Sequence, residues 1–274
     1  MFGPNVAHVE RIIRDKWKVL DVGGWYRPFN RADVVVDLLG HESRGLGGSD
    51  GGTKERFTDS SWLVHDISGA PLPFADKEFD FAVCSHTLED VRDPIHVCAE
   101  ISRVARRGYV EVPSRLIESV RGLEGRNYVG HYHHRWLVDI ENNELRFRFK
   151  AHAIHEDRRY HLPKRILKGL RPEDRVQWLF WDGALNAQEV IQISHLQTRR
   201  ELADFAARNS PLTLLDRANL ALQAPLTALQ YRTWRALLHP VATHVAPDPD
   251  HAMKVWSELP DIRCGTAAPM KDST

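Results

Sequence analysis

Short, almost continuous apolar runs alternate with helical patterns and loops over the first 113 residues. Five of these runs predict strands, at residues 18–24, 33–37, 62–67, 79–85 and 109–113. Residues 5–16 and 93–105 instead carry apolar side chains at helical spacing, and Asp93-Pro94 is typical of a helix start. Strands that are apolar on both faces indicate a parallel sheet covered on both sides.

The pattern changes after Pro113. Residues 135–140 and 145–150 alternate between apolar and polar positions around Glu-Asn-Asn-Glu, which predicts a β-hairpin. Residues 186–208 and 212–238 predict helices. We therefore expect an α/β fold: a Rossmann-like, doubly wound, mostly parallel sheet with a mainly helical C-terminal extension.

These patterns divide the chain into three segments. Residues 1–150 are predicted to form the Rossmann-like domain, and residues 151–246 a helical extension that carries the acceptor site or an oligomer contact. Residues 247–274 are rich in Pro, Asp, Thr and Ala and are expected to form a weakly ordered tail. Six glycines between residues 40 and 53 predict a mobile loop that is able to close over a bound cofactor.

Composition narrows the class of protein. The 274 residues carry 37 basic and 37 acidic side chains, so the net charge does not support a protein that coats nucleic acid or membranes. Cys84, Cys98 and Cys264 form no CxxC pair, which argues against a disulfide scaffold and a cysteine zinc site. No secretory h-region and no membrane-length apolar run is present. We expect a cytoplasmic protein of undetermined oligomeric state.

Small and polar residues stand where the first four predicted strands end. Because the carboxyl ends of parallel strands meet at one crevice, we expect these residues to converge on one site. A carboxylate such as Asp37 can accept hydrogen bonds from ribose hydroxyls. Asp66 can accept from an adenine amino group, and Ile67 can cover the purine face. The predicted cofactor-binding residues are Asp21, Gly23, Gly24, Trp25, Asp37, Leu38, Asp66, Ile67 and Ser85.

The glycine turn bears on which adenosine cofactor binds. A dinucleotide needs a G-x-G-x-x-G turn and a following helix N-terminus for its pyrophosphate. Here the turn is Gly23-Gly-Trp-Tyr-Arg-Pro28, which lacks the third glycine and is interrupted by proline. S-adenosylmethionine carries no phosphate and tolerates such a turn, so an NAD-dependent reductase is the less favoured alternative.

The segment 72–94, LPFADKEFDFAVCSHTLEDVRDP, resembles the fourth-strand region of class I S-adenosylmethionine-dependent methyltransferases of the ubiquinone and menaquinone biosynthesis type. That family shows LPF-x-D-x-x-FD, an apolar strand, S-H-x-L-E-H and then D-P; Asp90 replaces the last histidine here. The resemblance extends over residues 18–115. It implies S-adenosylmethionine as cofactor, with Gly23 and Gly24 beside its methionine part and with Ser85 and His86 near the sulfonium and the acceptor.

One departure from the family concerns the first crossover. Only about nine residues, 25–33, connect the first two strands, where the family has a full helix. Parallel crossovers usually need a dozen residues or more. Either the helix is a single turn or the strand ends are drawn in, and cofactor affinity or the methyltransferase role could be lost.

Histidines supply the candidate catalytic groups. We name His86, His131 and His133, because an imidazole can act as a base near neutral pH. In a strand, His131 and His133 would share one face and His134 the other. A metal held by these imidazoles is the alternative, but further ligands would be needed, and no metal is assigned.

Residues 146–171 contain nine Lys or Arg against two acids. The stretch is either a solvated basic face or a recognition surface for an anionic acceptor. The favoured function is methyl transfer to an O, N or C nucleophile of a small-molecule or glycan acceptor. The alternative is a non-catalytic module that binds an anionic glycan, a lipid head group or RNA through this stretch. No RNA-binding motif is present, so we do not expect nucleic acid to be the partner.

Overall fold

The computed structural model describes residues 1–44 and 54–210. The chain divides into two compact units, Met1–Val190 and a second that begins at Ile191. The described strands are β1 (Val19–Val22), β2 (Val34–Asp37), β3 (Trp62–Val64), β4 (Phe81–Ser85), β5 (Arg107–Pro113), β6 (Trp136–Glu141), β7 (Glu144–Phe149), β8 (Val176–Asp182) and β9 (Asn186–Glu189). The described α-helices are α1 (Gly3–Ile12), α2 (Pro94–Val104), α3 (Arg115–Glu118) and α4 (His195–Asn209).

Six strands form the larger sheet, in the order β3-β2-β1-β4-β5-β8. The first five are parallel, and β8 is antiparallel to β5. The strand order and the parallel pairing confirm the predicted Rossmann-like fold. All five predicted strands and both predicted N-terminal helices are present, with bounds shifted by a few residues.

The sheet is covered on both faces. Along β1, Leu20 and Val22 belong to the apolar cluster that includes α2 and the smaller sheet, while Val19 belongs to the cluster that includes α1. Successive strand residues point to opposite faces, so this apolar run places side chains in both cores. The sheet is thus held rigidly, and its carboxyl edge is a fixed platform for a site.

Strands β6, β7 and β9 form a second sheet. The predicted hairpin is confirmed, since β6 and β7 are antiparallel and the turn residues Asn142 and Asn143 both have positive φ, 52° and 60°. Such two-residue turns suit Asn because its side chain tolerates the left-handed region. One side of this hairpin packs against the larger sheet through Phe147 and Leu145.

The helix predicted from residue 186 begins at His195 instead. Residues 186–189 form β9, which pairs with β7 in parallel, so tertiary pairing overrides the helical pattern. The first compact unit extends to Val190 and includes strands β8 and β9. The domain boundary predicted at residue 150 therefore lies inside this unit. The tail 247–274 and the helix 212–238 lie outside the described residues, as does most of the glycine-rich loop.

Two residues of the first unit, Asp93 and Gly108, have clear local structural roles. Asp93 caps α2 as expected, since its side chain accepts from the backbone N–H of His96 at 2.9 Å. Gly108 lies within β5, where an added Cβ would come 2.3 Å from the carbonyl oxygen of Ala82. Within the described ranges, no helix combines the length and apolar character that crossing a bilayer requires.

Candidate active site

A cavity of about 1120 Å³ opens at the carboxyl ends of the parallel strands. It brings together ten of the predicted site residues. These are Gly23, Trp25, Asp37, Leu38, Asp66, Ile67, Ser85, His86, His131 and His133. The convergence that the strand ends predict is therefore present in the structure.

Asp21 and Gly24 are the two predicted site residues that do not line the cavity. The carboxylate of Asp21 is buried under the turn and accepts from the backbone N–H of Phe29 at 2.7 Å. Burial raises the pKa of Asp21 to about 7. An added Cβ at Gly24 would lie 2.6 Å from the same carboxylate. Both residues shape the turn from beneath and have no contact with the cavity.

Asp37 ends β2 and faces the cavity with its carboxylate held in place. One oxygen accepts from the backbone N–H of Trp25 at 3.0 Å, and the other accepts from that of Leu39 at 2.9 Å. Burial raises the pKa of Asp37 above its usual value. A carboxylate has about four acceptor positions, so the backbone donors do not use up its capacity to accept from a ligand.

Beyond Asp37, the cavity wall is partly apolar. Ile67 is buried at the wall, whereas the Leu38 side chain is 66% exposed and borders the open space. Asp66 accepts from the backbone N–H of Ser68 at 3.0 Å through one oxygen, and its other oxygen lies 4.0 Å from Arg92. An apolar slot with a carboxylate at its rim suits a purine ring with an exocyclic amino group.

Gly23 is required by packing. Its φ is +78°, and an added Cβ would lie 2.1 Å from the Thr87 hydroxyl oxygen. Thr87 in turn donates to the carbonyl oxygen of Gly23 at 3.2 Å. The turn after β1 is thereby locked to the loop after β4, and both loops line the cavity.

His86 follows β4 and is paired with Glu111 on the neighbouring strand. Its Nε2 lies 3.1 Å from Glu111 Oε1, and its Nδ1 lies 3.6 Å from Glu89. Burial opposes protonation, but these carboxylates raise the pKa of His86 to about 9. A raised pKa favours the protonated imidazole at neutral pH, and the role of His86 as a base stays a prediction.

Glu111 is a fully buried acid that the sequence analysis missed. It accepts a hydrogen bond from the Tyr109 hydroxyl. The backbone N–H of Phe2 lies 2.8 Å from one of its carboxylate oxygens and 2.9 Å from the other, and donates to both. Burial opposes ionisation, yet these donors and His86 lower the pKa of Glu111 to about 2. The signal was present in the sequence, since an acid between Val110 and Val112 interrupts an apolar strand.

The three histidines of residues 131–134 form one cluster. Residues 130–135 are irregular rather than a strand, so the expectation that His134 faces away from its neighbours is wrong. Ring centroids are 4.4 Å apart for His131 and His134, and 4.5 Å apart for His133 and His134. All three histidines line the cavity.

A buried carboxylate, Glu118, lies behind the histidines. It forms an ion pair with Lys150 at 2.9 Å and a hydrogen bond with His131 Nδ1, and His134 Nδ1 lies 3.0 Å away. Burial opposes ionisation, but these partners hold the pKa of Glu118 well below its usual range. Sequence reasoning missed Glu118 and Lys150, because the chain segments that carry them meet only in the folded structure.

The first crossover contains no helix. Residues 23–33 run from β1 to β2 as turns, so no helix N-terminus faces the cavity there. Of the two alternatives for the short crossover, the one-turn helix is therefore excluded. The helix N-terminus that usually binds a pyrophosphate is also missing from this crossover. The site fits an adenosine cofactor without phosphates better than it fits a dinucleotide.

The basic stretch 146–171 lies away from the cavity, and none of its residues lines the wall. Several of its cations are already paired with acids: Arg146 with Glu141 and Glu144, Arg148 with Asp139, Lys150 with Glu118, Arg159 with Asp157 and Arg171 with Asp174. Internal pairing therefore accounts for much of the local excess of positive charge.

A family model described as a methyltransferase domain matches residues 50–110. The matched segment contains β3, β4 and α2 and includes the block 72–94 on which the resemblance rests. It confirms the resemblance to class I methyltransferases, while the likeness to the quinone-biosynthesis type is loose. S-adenosylmethionine is the cofactor that this match implies.

Solved structures to which the chain is similar include an S-adenosylmethionine-dependent methyltransferase from Mesorhizobium loti, at 17% identity and a TM-score of 0.31 over 41% of this chain and 55% of that one. A second, from Aquifex aeolicus, has 16% identity and a TM-score of 0.30 over 42% of this chain and 65% of that one. The [4+2]-cyclase SpnF matches at 19% identity and a TM-score of 0.31, over 41% of this chain and 45% of that one.

The chain covers between about half and two thirds of the length of the methyltransferases that it matches. No protein with a curated description matches the chain.

Proposed function

We propose that the protein transfers a methyl group from S-adenosylmethionine to a nucleophile on a small-molecule or glycan acceptor. The observation that carries this proposal is the convergence of Gly23, Asp37, Asp66 and Ser85 on one cavity at the carboxyl edge of the sheet. The methyltransferase match over residues 50–110 supports it.

The adenosine part of the cofactor fits the wall formed by the ends of β2 and β3. Asp37 is held by two backbone donors and keeps acceptor positions for the two ribose hydroxyls. Leu38 and Ile67 offer apolar surface to the purine, and Asp66 offers an acceptor to its amino group. Trp25 is tied to Asp37 through its backbone N–H, so the glycine turn and the ribose site are one structural unit.

When bound, the cofactor supplies a methyl group on a positively charged sulfur. The acceptor's lone pair forms a new bond to this carbon as the sulfur–carbon bond breaks, and the sulfur keeps the electron pair. The contribution of the protein is to align the two reactants and to exclude water from them. A neutral hydroxyl acceptor also loses a proton, for which His131 and His133 remain the predicted bases.

For His86 we propose a role other than that of a base. Its carboxylate neighbours raise its pKa to about 9, which favours the protonated, hydrogen-bond-donating imidazole at neutral pH. We propose that it positions the loop after β4 at the cavity wall, because both of its ring nitrogens face carboxylates of the protein.

The acceptor is proposed to be anionic because of the cations on the cavity wall. Arg27, Arg92, Arg135 and Arg175 line the cavity together with six acidic residues, so an anionic group would bind by pairing with an arginine and not through the net charge of the wall. A volume of about 1120 Å³ exceeds the usual upper range of about 1,000 Å³ for a single-ligand pocket, which supports space for cofactor and acceptor together.

Calorimetric titration with S-adenosylhomocysteine tests the proposal. We expect a dissociation constant in the micromolar range, about −8 kcal/mol, and no comparable heat with NAD. Absence of S-adenosylhomocysteine binding by a folded protein would overturn the proposal.

The helix-free first crossover favours a second candidate function, a module that keeps the fold but binds an anionic ligand without catalysis. Such a module would show no S-adenosylhomocysteine binding but would retain an anionic glycan or lipid head group. Charge reversal of Arg158 and Arg159 would then abolish that retention. The paired cations of residues 146–171 make this candidate weaker than methyl transfer.

A further inference from the structure

Three side chains with metal-ligating atoms meet on the cavity wall: Asp90, His133 and His134. The Nε2 atoms of both histidines lie 3.9 Å from the same oxygen of Asp90. A tetrahedral zinc site with bonds of about 2.0–2.1 Å has ligand atoms about 3.3 Å apart. The observed separations exceed this distance only slightly. A small movement of the side chains would therefore allow the three atoms to coordinate one ion.

The opposite ring nitrogens of the two histidines face carboxylates. His134 Nδ1 lies 3.0 Å from Glu118, and His133 Nδ1 lies 3.6 Å from Glu124. A carboxylate at this position keeps the proton on Nδ1 and leaves the Nε2 lone pair for a metal. Metal-binding histidines commonly have such a carboxylate partner; Glu118 lies at hydrogen-bond distance from His134, and Glu124 lies just beyond it from His133.

A buried carboxylate, Glu89, lies next to these ligands, and its nearest cationic partner is His86 at 3.6 Å. Glu89 is 1% exposed, and within the described ranges neither of its carboxylate oxygens has a hydrogen-bond partner. One of them lies 4.0 Å from His134 Nε2. The ligating oxygen of Asp90 is likewise buried without a hydrogen bond in the described part of the chain. Unpaired buried carboxylates are costly, and a divalent cation between them would remove that cost.

A second group, Glu118, His131 and His134, also has ligating atoms close together. There the ammonium of Lys150 lies 2.9 Å from Glu118 and already neutralises it. This cation makes the second group an internal ion-pair network, whereas the first group opens onto the cavity without a lysine or arginine paired to Asp90 or Glu89 in the described residues.

We infer that Asp90, His133 and His134 bind a divalent transition metal, for which Zn²⁺ is the test ion. With the Nε2 lone pair of His133 given to the metal, His131 is the remaining candidate base. Two imidazoles and one carboxylate suit zinc and related ions and leave at least one coordination position free. All three metal-coordinating side chains line the cavity. A molecule bound in the cavity could therefore occupy the free coordination position. An oxygen atom of the acceptor is the chemical group that fits it, and this last step rests on the proposed function.

The test is calorimetric titration of the full chain, stripped with a chelator, with Zn²⁺ alone. We expect one ion per chain, and at least tenfold weaker binding for Asp90→Asn and for His133→Gln. Both residues are partly exposed, so these variants should fold, which circular dichroism checks. The matched control is His152→Gln, an exposed histidine outside the cavity, which should bind Zn²⁺ like the wild type.

Two results would overturn the inference. One is absence of Zn²⁺ binding by the wild type, or equal binding by the wild type, Asp90→Asn and His133→Gln. The other is loss of binding in His131→Gln with unchanged binding in Asp90→Asn, which would place the ion in the Glu118 group. Titration with S-adenosylhomocysteine separates this inference from the proposed function, since Zn²⁺ binding without S-adenosylhomocysteine binding would leave the metal site standing alone.

Discussion

His86 and Glu111 are joined across the ends of β4 and β5 by a hydrogen bond of 3.1 Å between Nε2 and Oε1. The backbone of His86 has a φ of +56°, and its N–H donates to the Glu111 carbonyl at 2.9 Å. The left-handed conformation at the strand end turns the imidazole onto its carboxylate partner. The pair links the loop after β4 to the buried network of Tyr109 and α1.

This pair predicts a pH dependence of stability. The pKa of His86 is about 9 in the folded protein and about 6.5 when unfolded, so its contribution is complete below pH 6.5 and is lost as pH rises through 9. The groups that face it are Glu111 and Glu89. We expect the free energy of unfolding, measured by urea denaturation, to fall between pH 6.5 and 9.

His86→Asn is the variant that checks this assignment, because Asn tolerates a positive φ but does not titrate. Its free energy of unfolding should fall less over the same pH interval. Equal slopes for wild type and variant would show that His86 is not the titrating group. On the acid side, the pKa of Glu111 is about 2 against an ordinary 4.5, so its contribution should disappear as pH falls from 4.5 through 2.

Asp37→Asn should weaken S-adenosylhomocysteine binding. Hydrogen bonds to a charged group contribute about 1.5–3 kcal/mol, which corresponds to a roughly ten- to hundredfold rise in Kd. The matched control is Asp182→Asn, whose side chain is 72% exposed and lies away from the cavity. Calorimetry on both variants provides the measurement, and an unchanged Kd for Asp37→Asn would remove Asp37 from the cofactor site.

Gly23→Ala and Gly183→Ala separate backbone strain from steric collision. The φ values are similar, +78° and +80°, but an added Cβ meets Thr87 at Gly23 and nothing within 4 Å at Gly183. Both variants should lose about 1–2 kcal/mol to the left-handed conformation. Gly23→Ala should lose about 1–3 kcal/mol more from overpacking, as measured by urea unfolding. Equal losses would show that the Thr87 loop moves aside freely.

Lys150→Met tests the ion pair behind the histidine cluster. Removal of one member of a buried pair leaves Glu118 uncompensated and should cost about 3–5 kcal/mol of unfolding free energy. Lys18→Met is the matched control, since Lys18 pairs with Glu78 at the surface and should cost about 1 kcal/mol or less. A cost for Lys150→Met no greater than that of the control would mean that Glu118 is neutralised by the histidines instead.

The sequence by itself determined the parallel sheet and the line of site residues along its edge. Short apolar runs such as 79–85, bounded by turn residues, are typical of strands covered on both faces, and the carboxyl ends of parallel strands lie together. For that reason Gly23, Asp37, Asp66 and His86 were found from their positions alone. The Asn142-Asn143 turn was readable for a similarly local reason.

Only the tertiary structure decided which charges face which. Glu111 and Glu118 are distant in sequence from several of their partners, and the resulting pairing makes His86 a cation and Glu118 a buried anion. Strand β9 forms because β7 supplies its backbone partners, although its own residues favour a helix. Burial and pairing depend on what the fold brings within a few ångströms, and no local pattern in the sequence contains that information.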